Sequence, residues 1–557
     1  MSIVTPAGQP TRPASTPTAP LPGTGRRALA VPPTAPLPGT GRRALAVPPA
    51  APLPGVGRPA QAVPPAPGSG SARLPAAVWV IAAVFVAVEL AVSGRYGFLQ
   101  DELYFIEAGR HLAFGYVDQP PLAPLLTRVT DVLGVSPTAI RIVPALAGGA
   151  VVVITARFAV LFGAGRFGRI LAALITACAP LVLALAHLGI TEGPDLLAWA
   201  VVLLCATTAL LRDRPHWWLG AGFAAGIGLE DNNLMLLLLI GLAAGILCSG
   251  HRWVLGTRWP WLGAGIAAVI WAPNVAWQAT HGWPQLAMAS ELHQLNSSPG
   301  AFLVGPATVL AFAGVLVIPL LVAGFVRLWR TTDLRFLAIT SALLVVYVLV
   351  WIPGKTYYAE GTAPALVASA AVAAEGWIAR GRRPGVRRRL VVAAPLVSIA
   401  ISAQTILPIV PIAYLHDVPS LDKVTTADTF GWPQLTRAVA AQDAALARAG
   451  QAPTSIFAGN YGEAGALDVL GTAEHLPPVL SGNNNYWMWG PGRASDRIVL
   501  VVDALGWLRP YFAHCRVLTS YYTPYHVPSD FTGLDIGVCT GPVGGWRALW
   551  PHLQNYG

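Results

Sequence analysis

The sequence predicts a polytopic α-helical membrane protein with a small α/β region at its C-terminal end. Three observations lead there. Of 557 residues, 54% are hydrophobic and only 11% are charged. Apolar runs recur from residue 75 to residue 412, most of them near the ~20 residues that cross a bilayer as a helix. The loops between the runs alternate between Arg-rich and Arg-poor, as loops on the two sides of a membrane do.

The chain opens with a segment of different character. Residues 1–72 are rich in Pro, Ala and Gly, and a 16-residue period is visible in APLPGTGRRALAVPPT at 19–34, APLPGTGRRALAVPPA at 35–50 and a decayed copy at 51–66. Prolines break any helix, and no hydrophobic face is available to stack. A disordered, basic tail is expected, with Arg26, Arg27, Arg42 and Arg43 solvated or touching anionic headgroups.

Eleven candidate spans follow, at about 75–93, 138–162, 167–186, 194–211, 217–230, 234–248, 260–277, 303–326, 336–352, 361–379 and 390–412. The fifth and sixth are short and read as one broken or re-entrant unit. One set of loops carries Arg157, Arg166 and Arg169; Arg212 and Arg214; Arg252 and Arg258; Arg327, Arg330 and Arg335; and the basic stretch ARGRRPGVRRRL. The other set, after the first loop, holds Lys355 and almost no other basic residue. The N-terminus is therefore expected in the cytoplasm and the region after 412 outside, in a cell membrane. The net charge of +10 is a loop property under this reading, and nucleic acid is excluded as a partner.

The polar clusters that interrupt the apolar runs all fall on the outer side: LQDELYF (99–105), YVDQPPL (116–122), HLGITEGPD (187–195), EDNN (230–233), the 280–298 stretch and PGKTYYAEG (353–361). Polar groups at membrane depth are costly and mark function. The long first loop, 94–137, holds two amphipathic stretches, 101–113 and 120–134, expected to lie along the membrane surface. A one-sided acidic site under surface helices suits an enzyme working on a lipid-borne substrate. The alternative is a transporter or flippase for a lipid-linked substrate, for which EDNN is the best feature and the lack of a visible internal repeat the main objection.

The motif order QDELYF, GYVDQPPL, TEGPDLLAWA, PNVAWQATHGWP and GKTYYAEGTAPAL resembles the family 39 glycosyltransferases, the bacterial relatives of dolichyl-phosphate-mannose protein mannosyltransferases. The aminoarabinose transferases that modify lipid A are cousins. The resemblance covers about 75–557 and implies the GT-C fold: many membrane helices, a large first external loop and a site at the outer face. It also implies an inverting transfer of a hexose or pentose from a polyprenyl-phosphate donor to a hydroxyl of a lipid, glycan or protein, with membrane lipids around it.

Glycosyl transfer to a hydroxyl needs a base. The resemblance assigns that work to the acid of the first external loop, which is Asp101 here, with Glu102 the fallback or an orienting neighbour. Asp101 also stands where a helix N-cap belongs. The leaving phosphate needs cations and donors. Lys355, Tyr357 and Tyr358 are the candidates, with Arg95 and Arg110 in the first loop as weaker ones. A snorkelling lysine beside an aromatic belt is the other reading of that loop.

Glu192 and Asp195 are expected either to hold sugar hydroxyls or to cap a helix. Asp118 is expected to contact a sugar or acceptor, or a metal: it stands where the cousins carry a metal-binding Glu, and their metal-binding His falls near His293. No cofactor is required by this reading, and a divalent metal on Asp118 and His293 is the one candidate. Gln119 stands where the family has Lys, and EDNN departs from an Asn-Lys-Tyr-like stretch, which points to a different or amino sugar.

After Pro411 the composition becomes that of a soluble α/β domain over 414–557, following a transmembrane domain over 73–413. TSIFAGNYGEAGALDVLG reads as strand, turn and helix; DRIVLVVDAL and HCRVLTSYYT read as strands. Cys515 and Cys539 face an oxidising compartment under this topology and are expected to pair. Trp487, in SGNNNYWMWGPG, is a candidate platform for an acceptor sugar or part of a buried loop.

Overall fold

The computed structural model describes residues 73–417, 428–493, 495–524, 529 and 531–556. The repeat-bearing tail predicted for 1–72 lies outside the described residues. The helices run in the order α1 (Ala76–Val92), α2 (Gln100–Arg110), α3 (Leu122–Thr130), α4 (Pro137–Ile140), α5 (Ile142–Leu161), α6 (Arg166–Ala177), α7 (Pro180–His187), α8 (Glu192–Leu211), α9 (Trp217–Leu229), α10 (Met235–Leu247), α11 (Arg258–Thr280) and α12 (Pro284–Asn296). Then come α13 (Pro299–Ala313), α14 (Ile318–Arg330), α15 (Arg335–Trp351), α16 (Ala363–Ala379) and α17 (Pro384–Ile406).

Among the described residues, Pro137–Leu161, Glu192–Leu211, Thr332–Trp351 and Pro384–Ile406 are long and apolar enough to cross a membrane unaided. The chain is a multi-pass membrane protein. Two of the predicted spans differ from a straight helix. The one at 167–186 bends by 57° between α6 and α7, where Pro180 opens the second piece. The one at 303–326 bends by 80° at Gly314, whose φ of +79° lies in the left-handed region that glycine tolerates. The short pair at 217–230 and 234–248 forms two separate short helices, α9 and α10.

The first loop departs most from expectation. The stretch predicted at 101–113 to lie on the membrane surface forms α2, but every residue from Glu102 to Gly109 is buried. Its cover is the C-terminal region. Leu103, Tyr104, Phe105 and Ile106 share one core with Leu435, Val439, Ile456, Leu467 and Leu500. Glu107 is buried and paired with Arg110 at 2.7 Å. The second stretch, α3, does show exposed apolar residues at Leu125 and Val129, as an interfacial helix should. Thr127 donates to the Phe105 carbonyl at 2.8 Å and ties α3 to α2.

The C-terminal region builds a five-stranded sheet of β1 (Ser455–Ala458), β2 (Val479–Ser481), β3 (Ile498–Val502), β4 (Phe512–Tyr521) and β5 (Leu534–Pro542), in the order β2-β1-β3-β5-β4. β1 pairs in parallel with β2 and β3, whereas β5 runs antiparallel to β3 and β4. Strand alternation splits the sheet into two buried faces. Ile456, Leu500 and Val502 face the core shared with α2, and Phe457, Val499 and Val501 pack on Trp546 and Leu553. Cys515 and Cys539 stand opposite each other in the β4–β5 pairing and are joined by a disulfide.

Candidate active site

The start of α2 sets the site. Its second and third residues are both carboxylates, and they have opposite surroundings. Glu102 is fully buried against Arg141, which donates from Nε to Oε1 at 2.8 Å and from Nη2 to Oε2 at 2.8 Å. The backbone N–H of Leu99 and of Gly189 complete its shell at 2.8 and 2.7 Å. Arg141 also reaches the carbonyls of Ser93 and Gly97. Glu102 is therefore a knot that fastens α2 to α1, α4 and the turn before α8. Its oxygens are committed, which removes it as a fallback base.

Asp101 keeps part of its surface open. Tyr461 donates to its Oδ1 at 2.8 Å from the first residue of the Tyr461–Leu470 helix. Burial raises the Asp101 carboxyl above its ordinary range; the Tyr461 hydroxyl and the Lys355 ammonium pull it back, and Glu102 pushes it up. Lys355 and Asp101 both act on Glu192. Asp118 feels the charge of Asp101, accepts from the Tyr104 hydroxyl at 2.8 Å, and is pushed up to about 7, mainly by burial. Asp101, Asp118, Glu192, Lys355 and Tyr461 are all half-buried, and hydrogen bonding or charge couples each of them to at least one of the others.

Behind Glu192 the acids continue inward. Asp195 and Asp231 are buried and within charge range of each other. Among the described residues, neither Asp231 oxygen has a hydrogen-bond partner, and Asp195 Oδ1 has none. Thr191 links the EDNN turn to this line: its hydroxyl donates to Glu192 at 3.2 Å and accepts from Asn232 at 3.3 Å.

Two loops are clamped so that these groups converge. The 114–118 segment is held by side-chain amides: Asn274 donates to the Phe114 carbonyl at 3.0 Å, and Gln278 and Gln285 both donate to the Tyr116 carbonyl at 3.1 Å. Asn233 donates to Gln285 at 2.7 Å, and Asn485 accepts from the Val117 N–H at 2.6 Å. The 353–362 loop is fixed at Gly361, where a Cβ would come within 2.1 Å of the Trp199 ring. In the same loop the Lys355 ammonium lies 5.7 Å from the Tyr357 ring centre, with Tyr358 edge-on to Tyr357.

Other expected residues lie elsewhere. Arg95 reaches the Ile409 carbonyl at 3.5 Å, at the end of the α17 segment. Trp487 and Trp550 exchange indole-to-carbonyl bonds at 3.0 Å, so Trp487 belongs to the packing behind the sheet. Its neighbour Trp489 faces the site instead, stacked on His111 at 4.5 Å and 6.3 Å from the Tyr104 ring. His293 stacks on Trp351 at 4.3 Å and meets its carbonyl through Nδ1 at 2.7 Å. Asp118 and His293 thus have separate partners, and among the described residues no group of three or more His, Cys, Asp or Glu is arranged to hold a metal ion. The pair does not fit a metal site, and no step below runs through one.

Tyr461 and Tyr104 were not singled out as site residues by sequence reasoning. The signal for Tyr461 was its place directly after a strand, at a helix start, where an outward polar group is commonly presented.

Residues 118–277 match the family model described as dolichyl-phosphate-mannose-protein mannosyltransferase. In fold, the chain is similar to the crystal structure of ArnT from Cupriavidus metallidurans bound to undecaprenyl phosphate, with 18% identity, a TM-score of 0.53, and coverage of 83% of this chain and 97% of that one. The apo form of the same protein gives 16% identity and a TM-score of 0.52 with the same coverage. No curated protein matches the chain. The family match and the fold together make the chain similar to glycosyltransferases of the GT-C type.

Proposed function

We propose that the protein is an inverting glycosyltransferase that moves a sugar from a polyprenyl-phosphate donor to a hydroxyl acceptor at the outer face of the membrane. The observation that carries this is the charge coupling of Asp101, Glu192 and Lys355, which puts a half-buried carboxylate and a cation in one field. Asp101 takes the acceptor's proton as its oxygen bonds to the anomeric carbon from the side opposite the phosphate. The bond from that carbon to the phosphate oxygen breaks, and the phosphate keeps the electron pair. Lys355 and the hydroxyls of Tyr357 and Tyr358 stabilise the charge that develops there. Glu192 and Asp195 accept hydrogen bonds from sugar hydroxyls, since Asp195 holds an acceptor atom with no partner inside the protein.

The fold neighbour bound to undecaprenyl phosphate supports a lipid-phosphate donor. The loop charges support an N-terminus in the cytoplasm and a sheet region over 414–557 outside, after a transmembrane domain over 73–413. The test is transfer by purified protein in detergent from a polyprenyl-phosphate sugar to an acceptor hydroxyl. Loss of transfer in Asp101→Asn is expected. Full turnover in that variant removes Asp101 as the base, and no transfer by the unaltered chain from any such donor removes the enzyme reading.

A further inference from the structure

The end of the helical region away from Asp101 carries a second feature. α6 and α17 both begin there, with Arg166 and Pro384, whereas the chain just after α17 returns to the first loop, where Tyr96 donates to the Val410 carbonyl. Between α6 and α17 lies a groove of about 820 Å³. Its walls are apolar, with Phe167 and Leu174 on one side and Val392 and Leu396 on the other. Its mouth carries Arg166, Arg388 and Arg389.

The dimensions are those of one lipid leaflet. Arg166 to Leu174 and Arg388 to Leu396 are equal separations, each about 12 Å along a helix at ~1.5 Å per residue. Half of a bilayer's hydrocarbon layer is about 15 Å. The protein itself covers little of this surface: only 17% of the apolar window of α17 is buried, against 67% for Pro137–Leu161.

Among the described residues no carboxylate pairs with Arg166, Arg388 or Arg389. Arg388 lies over the Phe167 ring at 4.7 Å, which leaves its guanidinium edge open at the head of the groove. Glu375 of α16 reaches the start of α6 and accepts from the backbone N–H groups of Gly165 and Gly168 at 2.8 and 2.6 Å rather than from these arginines. Three guanidinium groups without an anion, above an apolar groove one leaflet deep, match a lipid with an anionic head.

We propose that this groove binds an anionic diacyl phospholipid of the leaflet on that side, with its phosphate on Arg166, Arg388 and Arg389 and its acyl chains between α6 and α17. The lipid supplies the packing that α17 lacks against the rest of the protein.

The test is thermal unfolding of the full chain in detergent, titrated separately with phosphatidylglycerol, phosphatidylcholine and undecaprenyl phosphate. Phosphatidylglycerol is expected to raise the melting temperature saturably, and phosphatidylcholine to leave it unchanged. In Arg388→Gln/Arg389→Gln, the half-saturating concentration is expected to rise roughly 30-fold, from two lost charge contacts at a lipid headgroup. Equal shifts with both phospholipids, or an unaltered response in the variant, overturn the proposal. A shift with undecaprenyl phosphate alone overturns the diacyl assignment. If the double variant does not fold, Leu396→Trp fills the groove and keeps every arginine; it is expected to abolish the phosphatidylglycerol response, and a retained response is contrary to the proposal.

Discussion

Asp101 and Glu102 are adjacent in sequence, yet they belong to two regions built on opposite terms. Around Glu102, charge is matched: Arg141 and two backbone N–H groups fill its coordination. Along the line from Asp101 through Glu192 to Asp195 and Asp231, acids accumulate with Lys355 as the cation acting on the first two, and oxygens remain without partners. A buried carboxylate with every partner present holds structure together. A set of carboxylates left short of partners costs folding energy, and persists where a ligand completes it. Under the proposed function the first region is the scaffold of the site and the second is the site.

The comparison breaks most visibly at Arg141. Arg141→Met leaves Glu102 charged and unpaired, so a loss of about 3–5 kcal/mol is expected in chemical unfolding. A loss below about 1 kcal/mol would move the knot out of the scaffold. Lys355→Met touches the other region, where turnover should fall by about 10²–10³ while the melting temperature stays put. A drop in melting temperature without a kinetic defect would make Lys355 a structural anchor.

Tyr461→Phe sharpens the contrast through pH. The base works ionised, and burial raises the Asp101 carboxyl, so activity should be lost as pH falls through that raised value. The Tyr461 hydrogen bond holds the value down. Removing it should move the acid limb of the pH–rate profile to higher pH and reduce the rate roughly tenfold at neutral pH. An unmoved limb separates Asp101 from the observed titration. The smallest effect is expected at Trp487→Phe, which loses one buried hydrogen bond of about 1 kcal/mol and leaves transfer unchanged. A large rise in acceptor KM would return Trp487 to the site.

Much of this was legible in the chain. The alternation of Arg-rich and polar loops pointed to one end of the helices, and Asp101, Glu192 and Lys355 all lie in the clusters it selected. The strands at 455–458, 498–502 and 512–521 follow from short β-branched runs bounded by turns. What stayed hidden depends on contacts far apart in sequence. α2 was read as a surface helix because its periodicity shows two faces, and nothing local says that the C-terminal region covers the second. The same packing brings Tyr461 to Asp101 across 360 positions. Trp487 and Trp489 are two residues apart on one short helix, and only the packing of Trp550 and His111 decides which faces the site. Glu102 looks like a second base until Arg141 is beside it.

The most direct test pairs the two neighbours in one preparation, with turnover on a polyprenyl-phosphate sugar and the melting temperature read for Asp101→Asn and Glu102→Gln. The account predicts a crossed result. Asp101→Asn should lose about 10²–10⁴ in turnover at an unchanged melting temperature, whereas Glu102→Gln should melt several degrees lower and keep most of its turnover below that point. Equal turnover in Asp101→Asn and the unaltered protein, or the reverse crossing, would contradict it.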